Sequence, residues 1–342
     1  MPLVTSEEVL QNAYREGYAL GGFNAHNLET VRAVVEAAEE ERAPVILQLS
    51  RGSIAYAGLD LAVTLIRTAA QRATVPVVLH LDHGMSLDLC LQCLRAGFTS
   101  LMYDGTEIVL RRFLKEREGR RVTAQEFTDR VQSREAFEAN LEMTRKVVEI
   151  AHPCGVPVEG ELGKIPRIDD FRLVGVADSL AGVLPEPALE LTRQLHALPE
   201  MAEEFARSTG CDSLAVACGS VHGMTEALRP LHIPTIERIA ARTTVPLVLH
   251  GSSGVIRTRK AARERGLALR DGEGSIEDAI GAGVAKVNVS TELQATFLNA
   301  LRRELEEHPE QRDMRKLFPP AVEEMKQRVI SFIRLFGSSG KA

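Results

Sequence analysis

Two short apolar runs, Val75-Pro76-Val77-Val78-Leu79-His80 and Val245-Pro246-Leu247-Val248-Leu249-His250, echo one another from distant parts of the chain. Each is too short for a helix and apolar on both faces, the pattern of a strand buried between two layers. Each also ends in polar chemistry beside a glycine: Leu81-Asp82-His83-Gly84 follows the first and Gly251-Ser252 the second. Imidazoles and carboxylates at the end of a buried strand are costly unless they are paired or bound to a metal. The echo therefore predicts one architectural unit used repeatedly, with its chemistry at the strand exits.

Six further stretches complete the pattern. Strands are expected at residues 19–25, 44–50, 75–82, 99–103, 156–162, 213–218, 245–250 and 285–289. Amphipathic helical periodicity separates them, with Ser86 as an N-cap and Gly97 as a helix stop in one case. Strands alternating with helices in this number describe an α/β fold of the (β/α)₈, or TIM, barrel kind. Three stretches interrupt the alternation after strands: residues 108–132, broken by Gly119; residues 167–198; and residues 257–274. They read as helical insertions on the catalytic face. A last helix over residues 320–336 is extra to the barrel, and residues 1–342 read as a single domain.

The chain has 342 residues, 44% hydrophobic and 26% charged, enough for one large core. A net charge of −6 without a basic, aromatic-interleaved run argues against nucleic-acid binding. No apolar run has the length of a membrane span, and the first residues do not resemble a signal peptide, so a cytoplasmic protein with no membrane partner is expected. Five cysteines, an odd number, make no disulfide framework. All five read as small buried hydrophobes, including Cys90 and Cys93 of a CxxC that falls inside a helical pattern.

Barrel enzymes draw catalytic groups from the C-terminal ends of several strands. Here those ends carry Asn24, Ser50, Asp82-His83, Asp104, Glu161, His222-Gly223, His250-Gly251-Ser252 and Asn288-Val289-Ser290-Thr291. Three of them present a histidine, His83, His222 and His250, and three imidazoles with an open fourth position suit a catalytic zinc ion. Asp104 and Glu161 are candidates to support that ion or to hold a second one. His80 reads as a hydrogen-bonding residue inside the barrel, and His26, His152, His196, His232 and His308 as solvated. The Gly251-Ser252-Ser253-Gly254 turn leaves backbone N–H groups free to converge on an anion. Asn288 to Thr291 would add amides and hydroxyls at a helix start, where the dipole favours phosphate. Asn24, Ser50 and Gly223 complete the candidate substrate contacts.

At this point the residues resemble the zinc-dependent, class II, fructose-bisphosphate and tagatose-bisphosphate aldolase family, and its tagatose-type branch in particular. The resembling stretches are Gly22-Phe23-Asn24-Ala25-His26-Asn27, His80 to Gly84, Val158-Glu159-Gly160-Glu161-Leu162-Gly163, Asp212 to Gly223, Leu247 to Gly254, Lys286 to Leu293 and the tail from Ala321. The resemblance implies Zn²⁺ on His83, His222 and His250, and Asp82 as the acid/base. It implies phosphate contacts from Gly251 to Ser253 and from Asn288 to Thr291, with a monovalent cation (Na⁺ or K⁺) nearby. It also implies a phosphorylated ketose substrate, reversible cleavage to dihydroxyacetone phosphate and an aldehyde, and a homodimer or homotetramer.

Two departures stand out. Where the family has a glycine pair and then a proton-transferring Glu, this chain has Lys164-Ile165-Pro166-Arg167-Ile168-Asp169-Asp170, which offers Asp169 or Asp170 for that role. After His222 the family's Tyr-Lys pattern is replaced by Met224-Thr225-Glu226. Arg257, Arg259 and Lys260 are candidates for a second anionic group of the substrate. The alternatives are a non-catalytic or partner subunit of a sugar-phosphate aldolase complex, and a related zinc lyase acting on a non-standard sugar phosphate. A zinc hydrolase would need a His-x-His on the first strand, which Asn24-Ala25-His26 lacks.

Overall fold

Side-chain alternation along each strand decides where the two cores form. In β3 (Val77–Gly84), Val77, Leu79 and Leu81 face outward into the helix layer, while His80 and Asp82 face the barrel axis. The computed structural model describes residues 3–117, 120–179, 184–224 and 228–342. The remaining barrel strands are β1 (Leu20–Asn24), β2 (Val45–Ser50), β4 (Ser100–Tyr103), β5 (Val158–Leu162), β6 (Ser213–Val216), β7 (Leu247–Leu249) and β8 (Val284–Val289). Each pairs in parallel with the next, and β8 pairs with β1 through Asn288 opposite Gly22, which closes the ring. This is the expected TIM barrel.

Helices between the strands cover the outside. The helix Leu87–Ala96 is capped as expected: the Ser86 hydroxyl accepts from the Leu89 N–H, and Gly97 ends it in the left-handed region. The C-terminal helix begins earlier than expected and runs over Met314–Phe336, through Pro319 and Pro320. Its buried Leu317 ties the opening turns to the body, and Asp313 caps it. No single described helix is long and apolar enough to cross a membrane.

An N-terminal element unassigned by pattern reading closes the barrel floor. A short strand, Leu3–Val4, pairs with Val77 and Val78 of β3. The helix Ser6–Glu16 then packs Leu10 and Ala13 on Leu20, Ile46, Val78 and Ala285.

Two of the three insertions form a roof with its own core. Helices Thr106–Glu116, Ala124–Val131, Ile168–Val174 and Glu186–Gln194 bring Phe113, Phe127, Phe171 and Leu191 into a cluster separate from the barrel's, and it also includes Val221 and Met224 beside His222. The third insertion stands apart. It carries a short helix, Arg259–Glu264, and a two-residue strand, Glu273–Gly274, paired antiparallel with Leu231–His232. The helix break expected at Gly119 and the Thr225-Glu226 departure lie outside the described residues.

Candidate active site and metal centre

Strict alternation would turn His83 outward, away from Asp82. Instead the backbone passes through the left-handed region at His83 (φ 54°), and the register with β4 slips between Leu81 and Gly84. A left-handed non-glycine residue costs about 1–3 kcal/mol and persists only when its surroundings over-determine it. Here the next residue must be glycine, because a Cβ on Gly84 would sit 2.6 Å from the Met102 carbonyl oxygen. The His83 ring is in turn held by Asp104, whose Oδ2 lies 3.1 Å from its Nδ1. Two consecutive residues, Asp82 and His83, thereby face the same cavity.

The hydrogen-bond roles then fix the tautomers. Asp104 is held far below the usual carboxylate range: burial opposes ionisation, but the hydrogen bond from His83, its charge and Lys164 outweigh it. An ionised carboxylate only accepts, so His83 Nδ1 carries a proton, and Nε2 presents a lone pair whenever the ring is neutral, as a metal ligand must be. Glu159 is likewise well below its ordinary value, with Lys286 and His250 overcoming the burial penalty. Its Oε1 lies 2.8 Å from His250 Nε2, which leaves His250 Nδ1 as the lone pair. His83 Nε2 and His250 Nδ1 face each other at 3.1 Å.

Two bare lone pairs at that distance repel, so either a proton on His83 Nε2 bridges them as a hydrogen bond or a cation is ligated by both. The third ring, His222, has its centroid 5.0 Å from that of His83 and 6.0 Å from that of His250, and its buried Nε2 has no partner. One donor atom from each of the three lies within 4.8 Å of the others. Two ligands on a tetrahedral divalent ion with bonds of about 2.1 Å stand about 3.4 Å apart. The donor set therefore fits a metal ion.

The surrounding charges favour a cation at the same point. Burial alone would lower the His83 pKa, but Asp82, the hydrogen-bonded Asp104 and Glu161 raise it to about 9. Burial and the neighbouring Asp104 push Glu161 up to about 8. Its Oε2 lies 3.9 Å from His83 Nδ1 and from His250 Nδ1, and has no hydrogen-bond partner. His83, Asp104 and Glu161 make a second group with donor atoms within 4.8 Å of one another.

Beneath the imidazoles a polar chain descends to the floor. Lys286 Nζ donates to Glu159 Oε2 at 2.7 Å and lies 3.2 Å from His80 Nε2. His80 Nδ1 meets the Ser100 hydroxyl at 2.8 Å, which meets that of Ser6 at 2.8 Å. Burial, then the Lys286 charge, push the His80 pKa down to about 3, so this imidazole is neutral. Asp82 is ionised: burial opposes, but His83, His250 and the Asn24 amide lower its pKa. Asn24 Nδ2 donates to Asp82 Oδ2 at 2.7 Å, and Gln48 Nε2 to Asn24 Oδ1 at 3.3 Å. Asp82 Oδ1 is left without a partner.

The rings border a cavity of about 290 Å³. Asn24, Ser50, Asp82, His83, His222, Gly223, His250, Gly251, Ser252, Ser253, Asn288, Ser290 and Thr291 all line it. On its far side the loops after β7 and β8 are tied together, since the Ser252 hydroxyl donates to the Asn288 carbonyl and the Glu292 N–H donates to Ser253 Oγ at 3.2 Å. The helix Thr291–Glu307 opens there with no cap from the Ser290 side chain. The Glu292, Leu293 and Gln294 N–H groups are taken by Ser253 Oγ and the Ser290 carbonyl, so the Thr291 N–H and the helix dipole are what it offers an anion.

Other sequence candidates fall elsewhere. Asp104 and Glu161 stand behind His83 rather than on the cavity wall, and the Val289 side chain packs in the outer core. Neither Asp169 nor Asp170 lines the cavity. The Asp169 side chain is 89% exposed beside Arg172, and Asp170 accepts from the Arg167 backbone N–H at the start of its own helix. Arg257, Arg259 and Lys260 are occupied by Glu292, Asp278 and Glu264. His196 and His26 are not solvated: the Nε2 of each is buried without a partner, and burial followed by the His232 charge lowers the His196 pKa to about 4. Cys154 is exposed, whereas the other four cysteines are buried and free. Pattern reading passed over Arg51 and Arg167, which both line the cavity. The available signal for Arg51 was its place directly after the strand-end Ser50.

A family model described as "Fructose-bisphosphate aldolase class-II" matches residues 4–341. The chain is 40% identical to a fructose-bisphosphate aldolase of Thermus caldophilus over 99% of this chain and 100% of that one. It is 36% identical to a probable fructose-bisphosphate aldolase of Bacillus subtilis over the full length of both. The crystal structure of the YdjI aldolase from Escherichia coli K12 superposes with a TM-score of 0.71 at 29% identity, covering 99% of each chain. With the barrel, the facing imidazoles and the match over nearly every residue, this chain belongs to the class II fructose-bisphosphate aldolase family of carbon–carbon lyases.

Proposed function

We propose that this aldolase holds a zinc ion on His83, His222 and His250, and reversibly cleaves a ketose 1-phosphate or ketose bisphosphate to dihydroxyacetone phosphate and an aldehyde. The observation that carries the reading is the convergence of three imidazoles with donor atoms within 4.8 Å of one another, His83 Nε2 and His250 Nδ1 being 3.1 Å apart with a carboxylate behind each ring and His222 Nε2 without a partner. When bound, the ion supplies the electron sink an aldol cleavage needs, polarising the ketose carbonyl as a Lewis acid.

The chain's own groups do the rest. Asp82 is ionised, and Asn24 fixes one of its oxygens while Oδ1 stays free, so it is poised to take the proton of the C4 hydroxyl as the C3–C4 bond breaks. In the reverse direction the same oxygen returns that proton to the new alkoxide. Ser252, Ser253 and the start of the helix Thr291–Glu307 orient the phosphate on the opposite wall. Lys286 keeps Glu159 ionised, and Glu159 keeps the His250 proton on Nε2, which preserves the lone pair on Nδ1.

The test is release of dihydroxyacetone phosphate from a panel of ketose phosphates, with chelator and after zinc is restored. Activity is expected to vanish and return. Asp82→Ala should retain zinc by metal analysis and lose cleavage by about 10²–10⁴-fold. Turnover that resists chelation, or survives loss of Asp82, would refute the mechanism.

A further inference from the structure

Behind the loops after β7 and β8 lies a second and larger cavity, of about 620 Å³, which shares no lining residue with the first. The same two segments form the partition. After β7, Gly251 to Ser253 line the barrel cavity and Gly254 to Arg257 the outer one; after β8, Ser290 and Thr291 face inward and Glu292 outward. The third insertion, which lines none of the barrel cavity, walls the outer one with Ala261, Ala262 and Arg265, and the last helix adds Arg328.

The charges there do not balance. Arg257 and Arg328 reach the same oxygen, Glu292 Oε1, the latter at 3.4 Å. Arg257 is held in place besides, its guanidinium carbon 4.6 Å from the centre of the buried Phe332 ring. Arg265 is the third cation, and it has no ion-pair partner among the described residues. Its charge bears on Arg257: burial lowers the Arg257 pKa, Glu292 raises it, and Arg328 and Arg265 lower it again. The other charged groups on the wall are matched, Arg303 by Glu324 and Glu264 by Lys260. Three guanidinium groups thus face one carboxylate, an excess of two positive charges.

A phosphate group brings about two negative charges at neutral pH and several acceptor oxygens, and the guanidinium fork matches those oxygens in pairs. The volume is that of a small-molecule site, with Val255, Ile256, Ala262 and Ala295 beside the arginines to receive a less polar body. We propose that the outer cavity binds a phosphate group, free or carried by a small molecule, between Arg257, Arg265 and Arg328. The site lies outside the barrel and does not depend on which ketose is cleaved inside it. Glu292 joins the two cavities, because its backbone N–H holds Ser253 Oγ on one side while its side chain sits among the arginines on the other.

The experiment is equilibrium dialysis of the zinc-loaded enzyme at physiological ionic strength, with radiolabelled inorganic phosphate and, separately, glycerol 3-phosphate. A site in each cavity is expected. Arg265→Gln and Arg328→Gln, made separately, should each weaken one site at least tenfold and leave the other as it was. Arg328→Lys, which keeps the charge without the fork, should recover part of the loss. Glu292→Gln, which removes the competing carboxylate, should tighten the same site at least threefold. That change has the opposite sign to the arginine variants, and mere loss of packing would not produce it. The two probes identify whether the free or the esterified group is preferred. Phosphate binding that either arginine variant leaves unchanged, or that Glu292→Gln fails to tighten, would overturn the proposal. Because the measurement needs no turnover, that result would leave the aldolase reading intact.

Discussion

Lys286 is the buried residue on which the proton arrangement of the site depends. Its ammonium and the Glu159 carboxylate are almost fully buried and 2.7 Å apart. Removing one partner of such a pair strands the other charge, at about 3–5 kcal/mol. Lys286→Met is therefore expected to destabilise the protein by about that amount in urea unfolding. Adding Glu159→Gln should recover part of the loss, and a single variant as stable as wild type would contradict the account. The identities of the three imidazoles and of Asp82 were legible as strand-end residues. The means by which neighbours 82 and 83 share one cavity was not: period-two alternation sends them to opposite faces, and only the left-handed twist at His83 reverses that. The two aspartates of the departing loop were legible only as carboxylates, since helix geometry and an exposed Arg172, neither visible in a motif, claim them instead.

At the level of elements, the eight strands could be read because buried parallel strands are short continuous apolar runs bounded by turn residues. The floor helix Ser6–Glu16 was missed because its acidic first turn hides an apolar stripe, Leu10 and Ala13, which has meaning only against the barrel end. The roof helices were visible as helical charge patterns but not as a shared cluster, since sequence spacing does not say which faces meet. The loop after β7 offers a direct test. Gly251 adopts φ 61°, and a Cβ there would lie 2.9 Å from the Val221 carbonyl carbon. Gly251→Ala should cost about 1–2 kcal/mol from the backbone alone and more from the clash. Because the displaced loop carries Ser252 and Ser253, KM for the phosphorylated ketose should rise at least tenfold. An unchanged melting curve with an unchanged KM would show that this turn tolerates a side chain.

Across the whole molecule, buried neutral imidazoles outside the cavity give stability a pH dependence of their own. His196 has a folded pKa of about 4, whereas an unfolded histidine takes up its proton near 6.5. Between those values the unfolded chain binds a proton that the folded chain refuses, so stability is present above pH 6.5 and falls as the pH drops toward 4. The loss from this one group is up to about 3 kcal/mol. His196→Gln should flatten that part of the stability–pH curve in urea titrations, and an unaltered acid limb would exclude His196 as its source. The division of the interior has a different kind of consequence. The roof gathers its own phenylalanines and leucines, apart from those under the barrel helices, and it delivers Arg167 to the cavity on a loop it shares. Drift in that upper storey can reshape the mouth of the cavity while the ring of imidazoles below goes on unaltered. In a protein assembled this way, ancestry is recorded in the foundations and livelihood in the ceiling.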